Sequence, residues 1–426
     1  MDELKGKSFL KYKLALKRNR VLTRYEYYDC KEQKIIPGPI IPVELKNTFK
    51  STLGWCAKAV NALADRLIFD QFENDLFDIN EIYSMNNPDI IFDNAILSAL
   101  ISSCCFIYIS PDNNGYPRLQ VIDGGNATGI IDPITGLLKE GYAVLSRDEY
   151  DNATSEAYFR PGMIIYTDLI KKTQKVFKTV VKYPLLVPII NRPDASRPFG
   201  HSRISRACMS LQNKAKNVLT RADVSAEFYS FPQKYIVGMS QDAEHLDKWK
   251  ATISSMLQFS KDEDGDSPNL GQFQQQSMAP HLEHFKLYAS AFAGETGLTL
   301  DDLGFPTNNP SSAEAIKAAH ETLRCEAKRA QRTFGAGFLN AGFLAACLRD
   351  ETNYERKAFY QTKPTWYPVF EADAGMLSSI GDGVIKINQV MPGYINDNNL
   401  RQLTGIKRSE SNSDPTDIAN DDWLEE

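Results

Sequence analysis

Leu53, Cys56, Val60, Leu63 and Leu67 step by three and four, so they line one face of a helix predicted over residues 43–72. A second helix is predicted over residues 88–103. Pro88 suits a first helical turn, and Ile91, Ala95, Leu97 and Leu100 recur near helical spacing. The period then changes. Cys105-Phe-Ile-Tyr-Ile109 is β-branched and aromatic, and Pro111-Asp-Asn-Asn-Gly115 is a turn. Leu119 and Val121 alternate with polar neighbours, Asp132-Pro-Ile-Thr-Gly136 is a second turn, and residues 141–145 and 157–166 continue an antiparallel meander. Residues 1–43 are basic and read as turn-like, ending on Pro37-Gly38-Pro39 and Pro42. Residues 1–200 thus read as one α+β domain, with the meander packed on the preceding helices.

Residues 200–230 are predicted helical through a stripe of Ile204, Cys208, Leu211, Ala215, Val218, Ala222 and Tyr229. A short strand, residues 234–238, opens a polar excursion that holds Lys261-Asp-Glu-Asp-Gly-Asp266 and Gln272-Phe-Gln-Gln-Gln276. A helix over residues 280–296 returns from it. The loop that follows, rich in Gly, Pro and Asn, ends on Ser311-Ser-Ala-Glu314, which fits a capping box. Beyond it, Ile316, Ala319, Leu323, Ala327, Ala330, Phe334, Phe338, Ala341, Ala345 and Leu348 are spaced by three and four without a break. They predict one helix of roughly 57 Å at a rise of about 1.5 Å per residue, bent by Gly335, Gly337 and Gly342. Its other face mixes basic and acidic residues, as a solvated or inter-subunit surface would. Residues 376–391 show weak helical periodicity.

At 426 residues the chain is long enough for two to four folding units. Hydrophobic residues at 42% and charged residues at 24% exclude a wholly disordered chain, a collagen and a mucin-like stalk. No apolar run reaches the roughly 18–20 residues needed to span a bilayer, and residues 1–20 lack the apolar block of a secretory signal. The charge is uneven: residues 409–426 carry seven acids and no base, and taking them from the formal −6 leaves residues 1–408 at +1. That tail reads as disordered. A near-neutral body does not predict a protein that grips nucleic acid with a basic face. Seven cysteines without CxxC or a histidine cluster read as buried thiols in a reducing compartment. For the adjacent Cys104 and Cys105 a strand would point the side chains to opposite faces.

Catalytic signatures are missing. The chain has no GxxxxGK[ST], GxSxG or HExxH. His281 and His284 lack a visible third ligand, and Asp262, Glu263, Asp264 and Asp266 lack the closing glutamate of a twelve-residue calcium loop. Asp301-Asp302 reads as an N-terminal capping cluster or a tunnel-facing charge rather than an acid–base dyad. The architecture is more distinctive: helix, exposed module, returning helix, loop and a very long helix, which suits packing between subunits of a ring.

On these residues the chain resembles the portal, or head-to-tail connector, proteins of tailed bacteriophages, particularly the long-tailed type. The resemblance rests on Trp55 with Val60-Asn-Ala-Leu-Ala-Asp-Arg-Leu67, on Met85-Asn-Asn-Pro88, and on Asn191-Arg-Pro193 with Phe199-Gly-His-Ser-Arg-Ile204. Phe231-Pro-Gln-Lys-Tyr235 and Leu303-Gly-Phe-Pro-Thr-Asn-Asn-Pro-Ser-Ser-Ala-Glu-Ala-Ile316 follow in the family's order, over about residues 45–345, and Trp366 and Asp382-Gly-Val-Ile-Lys386 match more loosely. It implies a multi-part α+β portal fold. An α+β wing spans 1–200, stem helices 201–229 and 280–296 flank a small α/β clip at 230–279, and a tunnel loop spans 297–310. A long kinked wing helix covers 311–350, and a helical crown with the acidic tail covers 351–426.

The resemblance further implies a homo-oligomeric ring of about twelve subunits at one capsid vertex, assembled in the host cytoplasm. Double-stranded DNA would pass through it in packaging and ejection. Terminase, head-completion or adaptor proteins, the major capsid protein and scaffolding would be partners, with no cofactor, no metal, no membrane and no enzymatic activity. Thr299, Asp301, Asp302, Thr307, Asn308 and Asn309 would face DNA, and Gln241, Asp242, Asp262, Glu263 and Asp264 would dock partners. A channel through which DNA slides favours few phosphate contacts, and an acidic loop in a near-neutral body agrees with that. Two other readings predict differently. A non-ring minor capsid or adaptor protein predicts a small native mass, and a metal-dependent nucleic-acid enzyme predicts a carboxylate set placed by the fold.

Overall fold

The computed structural model describes residues 4–406 apart from 32–50, 113, 231–233, 238–268, 273–276, 307–312 and 371–373. In chain order the elements are α1 (Lys7–Tyr28), α2 (Trp55–Ala64), β1 (Phe69–Glu73), α3 (Ile79–Ser84), α4 (Pro88–Ser102), β2 (Cys104–Pro111) and β3 (Pro117–Ile122). Then come β4 (Ala127–Ile131), β5 (Leu138–Arg147), β6 (Ala153–Arg160), β7 (Met163–Asp168), β8 (Thr173–Lys178), β9 (Leu186–Ile190) and α5 (Arg206–Ser230). The rest are β10 (Lys234–Val237), β11 (Asn269–Gln272), α6 (Ala279–Thr296), α7 (Ala313–Ala319), α8 (Glu321–Arg349), β12 (Lys363–Trp366), α9 (Ala374–Val390) and α10 (Asp397–Thr404). The chain divides into two compact units. The larger joins Met1–Tyr25, Lys58–Ile204 and His320–Glu426, and the smaller joins Glu26–Ala57 and Ser205–Ala319.

In the larger unit, β3-β2-β9 form a three-stranded antiparallel sheet and β4 to β8 a five-stranded antiparallel meander. The two faces of β2 have different partners. The Cys105 thiol reaches the Ala95 carbonyl of α4, and its register partner Ile189 meets Gly337 of α8, so α4 and α8 cover one face. On the other face Lys17 sits 5.2 Å from the Phe106 ring, and Tyr108 packs edge-on against Phe159 of the meander at 5.2 Å. Cys104 and Cys105 are both free, buried thiols, as their position in a strand predicts.

Residues 7–28, read from sequence as turn-like, form a 22-residue helix. Leu10, Leu14, Val21 and Tyr27 are its buried positions, and Leu10 and Leu14 pack on Tyr142, Val144 and Tyr158 of the meander. The lysines conceal this pattern in the sequence, because their partners lie on distant strands. Glu140 is fully buried; it accepts the Lys5 N–H at 2.8 Å, the Gly6 N–H at 3.2 Å and the Tyr158 hydroxyl at 2.7 Å. Glu156 accepts the Tyr142 hydroxyl at 2.6 Å and meets Lys7 at 2.6 Å and Lys11 at 2.8 Å. Two buried carboxylates thus fasten the first helix to β5 and β6.

The helix predicted over 43–72 is shorter in its described part. It runs from Trp55 to Ala64, and residues 69–73 are a strand instead, paired antiparallel with β12. That partner lies almost 300 positions away, so no local pattern announces it. The stretch 157–166 is two strands, because Gly162 turns the chain at φ +73°. β11, β12 and α10 also complete elements that the periodicity did not suggest.

The helix predicted as one piece over 311–350 is two, α7 and α8, broken at His320, whose φ of −94° and ψ of 11° are not helical. Residues 311 and 312 of the proposed capping box lie outside the described residues. Gly335, Gly337 and Gly342 do not interrupt α8. They let it approach its neighbours. A Cβ on Gly335 would stand 2.7 Å from Pro364 of β12, and one on Gly337 would stand 2.7 Å from Ile189 of β9. A Cβ on Gly342 would collide with Cγ2 of Ile79 in α3. Around this seam Phe69, Phe72, Tyr83, Phe92, Phe338 and Trp366 make ring contacts, and the buried Tyr83 hydroxyl donates to the Phe338 carbonyl at 2.8 Å. The family-like motif at 191–204 is locked in the same unit. Asn191 Nδ2 donates to the His201 carbonyl at 2.8 Å, the His201 N–H returns to Asn191 at 2.9 Å, and Arg203 pairs with Glu326 of α8.

Burial pushes the Glu156 carboxyl up, and it is the largest single influence. Hydrogen bonds from Lys11, Lys7 and Tyr142 together outweigh it and hold the group below the ordinary carboxylate range. A depressed native value stabilises the fold above the unfolded value and loses that contribution as pH falls through the native one. Glu156→Gln is expected to cost about 1–3 kcal/mol at neutral pH. The gap from the parent chain should close below about pH 4.5, the ordinary range for a glutamate. Urea unfolding followed by circular dichroism between pH 3 and 7 checks this, and a pH-independent gap would refute it.

Candidate functional site

In the smaller unit α5 and α6 pack side by side. Cys208, Ala215 and Val218 form the buried stripe of α5, and Ala289, Phe292, Ala293 and Thr296 that of α6. Small residues on both sides allow close approach of the backbones. Ser205 caps α5, accepting the Cys208 N–H at 3.1 Å, and its hydroxyl donates to Glu295 of α6 at 3.0 Å. Trp55 clamps the pair from α2, with ring centroids 5.2 Å from Phe285 and 5.4 Å from Phe292. Next to it the Cys56 N–H donates to the buried Gln212 Oε1 at 2.7 Å. Burial pushes the Cys56 thiol far up, so it stays protonated and inert at neutral pH.

The end of α6 sets the geometry of the candidate loop. Gly297 takes the left-handed conformation at φ +67° and terminates the helix. Leu298 is buried, which anchors the chain as it leaves. Thr299 and Asp302 then close a small reciprocal cap. Asp302 Oδ2 accepts both the N–H and the hydroxyl of Thr299 at 2.9 Å, and the Asp302 N–H returns to Thr299 Oγ1 at 3.2 Å. A 3-10 turn, Asp301–Leu303, follows. It is closed by Gly304 at φ +90° and by the Phe305 N–H on the Leu300 carbonyl at 3.0 Å. The Phe305 ring packs 5.7 Å from Phe285.

Thr299, Asp301 and Asp302 therefore share one tight turn, as their spacing suggests. The adjacent acids have different surroundings: Asp302 is half-buried as a cap, and Asp301 is exposed. Thr307, Asn308 and Asn309 lie outside the described residues, as do Gln241, Asp242, Asp262, Glu263 and Asp264. Of the excursion between α5 and α6, the described part is the two-stranded β10–β11 pair, with Lys234 opposite Gln272 and Val237 opposite Asn269. Among the described residues no three His, Cys, Asp or Glu side chains gather as metal ligands would. The Trp55 clamp and the Gln212 bond escaped the residue-level reading, because their partners sit more than 150 positions away.

The sequence model of one family, described as "Phage portal protein, SPP1 Gp6-like", matches residues 7–368. The chain belongs to the phage portal protein family. Among curated portal proteins, that of Mycobacterium phage D29 is 29% identical over 348 residues, covering 75% of this chain and 69% of its own. That of Mycobacterium phage L5 is 24% identical over 343 residues, with the same coverage. Two solved structures are similar at 13% identity. One is the neck of an empty gene transfer agent particle computed with C6 symmetry, with a TM-score of 0.45, covering 91% of this chain and 99% of that one. The other is the neck of the native particle computed with C12 symmetry, with a TM-score of 0.43, covering 93% and 100%. The portal-family match takes in α1 through β12, including the stem-like pair and the capped turn, and α9, α10 and the acidic tail lie beyond it.

Removing the Trp55 ring would leave a void between Phe285 and Phe292. Trp55→Ala is expected to destabilise the smaller unit by about 3–5 kcal/mol. Hydrogen exchange should then rise in α5 and α6 while β5 and β6 keep their protection.

Proposed function

We propose that this portal-family chain assembles into a closed ring of about twelve copies at one capsid vertex, forming the passage for double-stranded DNA during packaging and ejection. The family match over residues 7–368 carries this reading. On it, residues 1–200 with 311–350 serve as wing, α5 and α6 as stem, 230–279 as clip, 297–310 as tunnel loop and 351–426 as crown and tail. The role is structural rather than catalytic, and the protein resides in the virion after assembly in the host cytoplasm. Terminase and later head-completion or adaptor proteins dock at the clip through Gln241, Asp242, Asp262, Glu263 and Asp264, and major capsid and scaffolding proteins surround the ring.

The capped turn supports a DNA-facing role for Thr299, Asp301, Asp302, Thr307, Asn308 and Asn309. Asp302 holds the turn, and Asp301 is exposed on the same turn. An exposed carboxylate repels phosphate, and repulsion keeps a sliding polyanion from lodging. Closure into a ring needs two different, complementary faces on each subunit, unlike a two-fold dimer.

Native mass spectrometry with negative-stain imaging tests the ring. The expected particle is about twelve times 47.9 kDa, with a central hole. A stable monomer or dimer in the presence of scaffolding protein would overturn it. Asp301→Lys is then expected to keep the ring mass but to shorten the DNA packaged per particle. Unchanged packaging would remove Asp301 from the DNA path.

A further inference from the structure

Helix α8 borders a groove of about 920 Å³. Lys328, Arg329 and Arg332 line it from the helix and Arg356 from a 3-10 turn beyond, while Leu339 and Trp366 supply apolar wall. Lys328, Arg329 and Arg332 are exposed, and among the described residues none has a carboxylate within ion-pair distance. Arg356 is half-buried. It donates to Asn340 Oδ1 at 3.0 Å and lies 5.9 Å from the Phe343 ring centroid, both neutral partners. Four like charges around one groove repel each other, and an anion filling it relieves that cost.

The chain carries such an anion. Residues 409–426 hold seven acids and no base, with Ile418, Trp423 and Leu424 interspersed. The last described residue before them, Ile406, follows α10, whose end lies near the groove. Arg401 and Gly405 share a small cleft with Trp366, Tyr367 and Pro368, and Trp366 also walls the groove. Half-extended, residues 407–423 reach about 28 Å. The groove-lining stretch of α8 from Cys325 to Leu339 is about 21 Å long. The segment lies beyond the portal-family match, as a feature particular to this chain would.

We propose that residues 409–426 dock in the α8 groove of their own chain, with their carboxylates on Lys328, Arg329, Arg332 and Arg356 and with Trp423 against Leu339 and Trp366. The segment then acts as a tethered competitor for polyanions. It covers cations that would otherwise hold a phosphate backbone, and its effective concentration is set by the short tether.

The exposed Cys325 thiol lines the same groove and reports on it. Maleimide labelling of the Cys325 peptide, followed by mass spectrometry, compares the full chain with a full chain carrying Asp421→Asn, Asp422→Asn, Glu425→Gln and Glu426→Gln. Labelling is expected to rise about tenfold in the neutralised chain, as for a site occupied roughly nine-tenths of the time. Lys328→Glu with Arg332→Glu in the unaltered tail background should give the same rise. Equal labelling in all three would overturn the proposal, as would protection that persists without the tail charges, which would mean that another part of the assembly covers the groove. In a third arm Asp422→Cys is oxidised to Cys325. A cross-linked product of single-chain mass supports docking within the chain, and a product of two-chain mass overturns that assignment.

Discussion

The larger unit depends on bare backbone along one helix. α8 is 29 residues long and touches β9, β12 and α3 at Gly337, Gly335 and Gly342 in turn. A side chain at Gly342 would press on Ile79, whose branched Cβ has little freedom to turn aside. Close approach there brings the Tyr83 hydroxyl onto a helix carbonyl and seats Phe338 against the rings of Phe69, Phe92 and Trp366. Helix propensity alone argues against three glycines in a helix, at about 1 kcal/mol each. Their presence marks packing as the stronger term, since overpacking a tight contact costs about 1–3 kcal/mol.

Elements whose apolar residues face a nearby core were legible from the chain alone. The Pro88 helix, the β2–β3 hairpin, α5 and α6 follow their local periodicity closely. What was not legible depends on partners far away. α1 looked like a basic turn-rich stretch because its lysines answer Glu156, a carboxylate on a strand more than 140 positions on. β1 looked like the end of a helix because its pairing strand lies near residue 365. The glycines of α8 suggested bends, but the break fell at His320, where no glycine or proline marks it. At the candidate loop the acid pair was legible as a capping cluster. Which of the two carboxylates did the capping depended on Thr299, a residue type whose hydroxyl commonly serves this way.

The two units divide the work differently. In the larger, buried carboxylates and an aromatic seam hold elements from both ends of the chain. In the smaller, two helices with small contact residues lead into a turn made rigid by one threonine, one aspartate and two left-handed glycines.

The interleaved chain path also bears on synthesis. Thr365 hydrogen-bonds back to Asp70 across 295 positions, and β1 has β12 as its strand partner. A ribosome adding about 5–20 residues per second takes on the order of 15–60 s to deliver that partner. Throughout this interval β1 presents an unpaired strand edge beside Phe69 and Phe72, the kind of surface on which nascent chains associate wrongly. The larger unit can close only after residue 366 has been made, so a chain stalled before that point would leave its aromatic seam open.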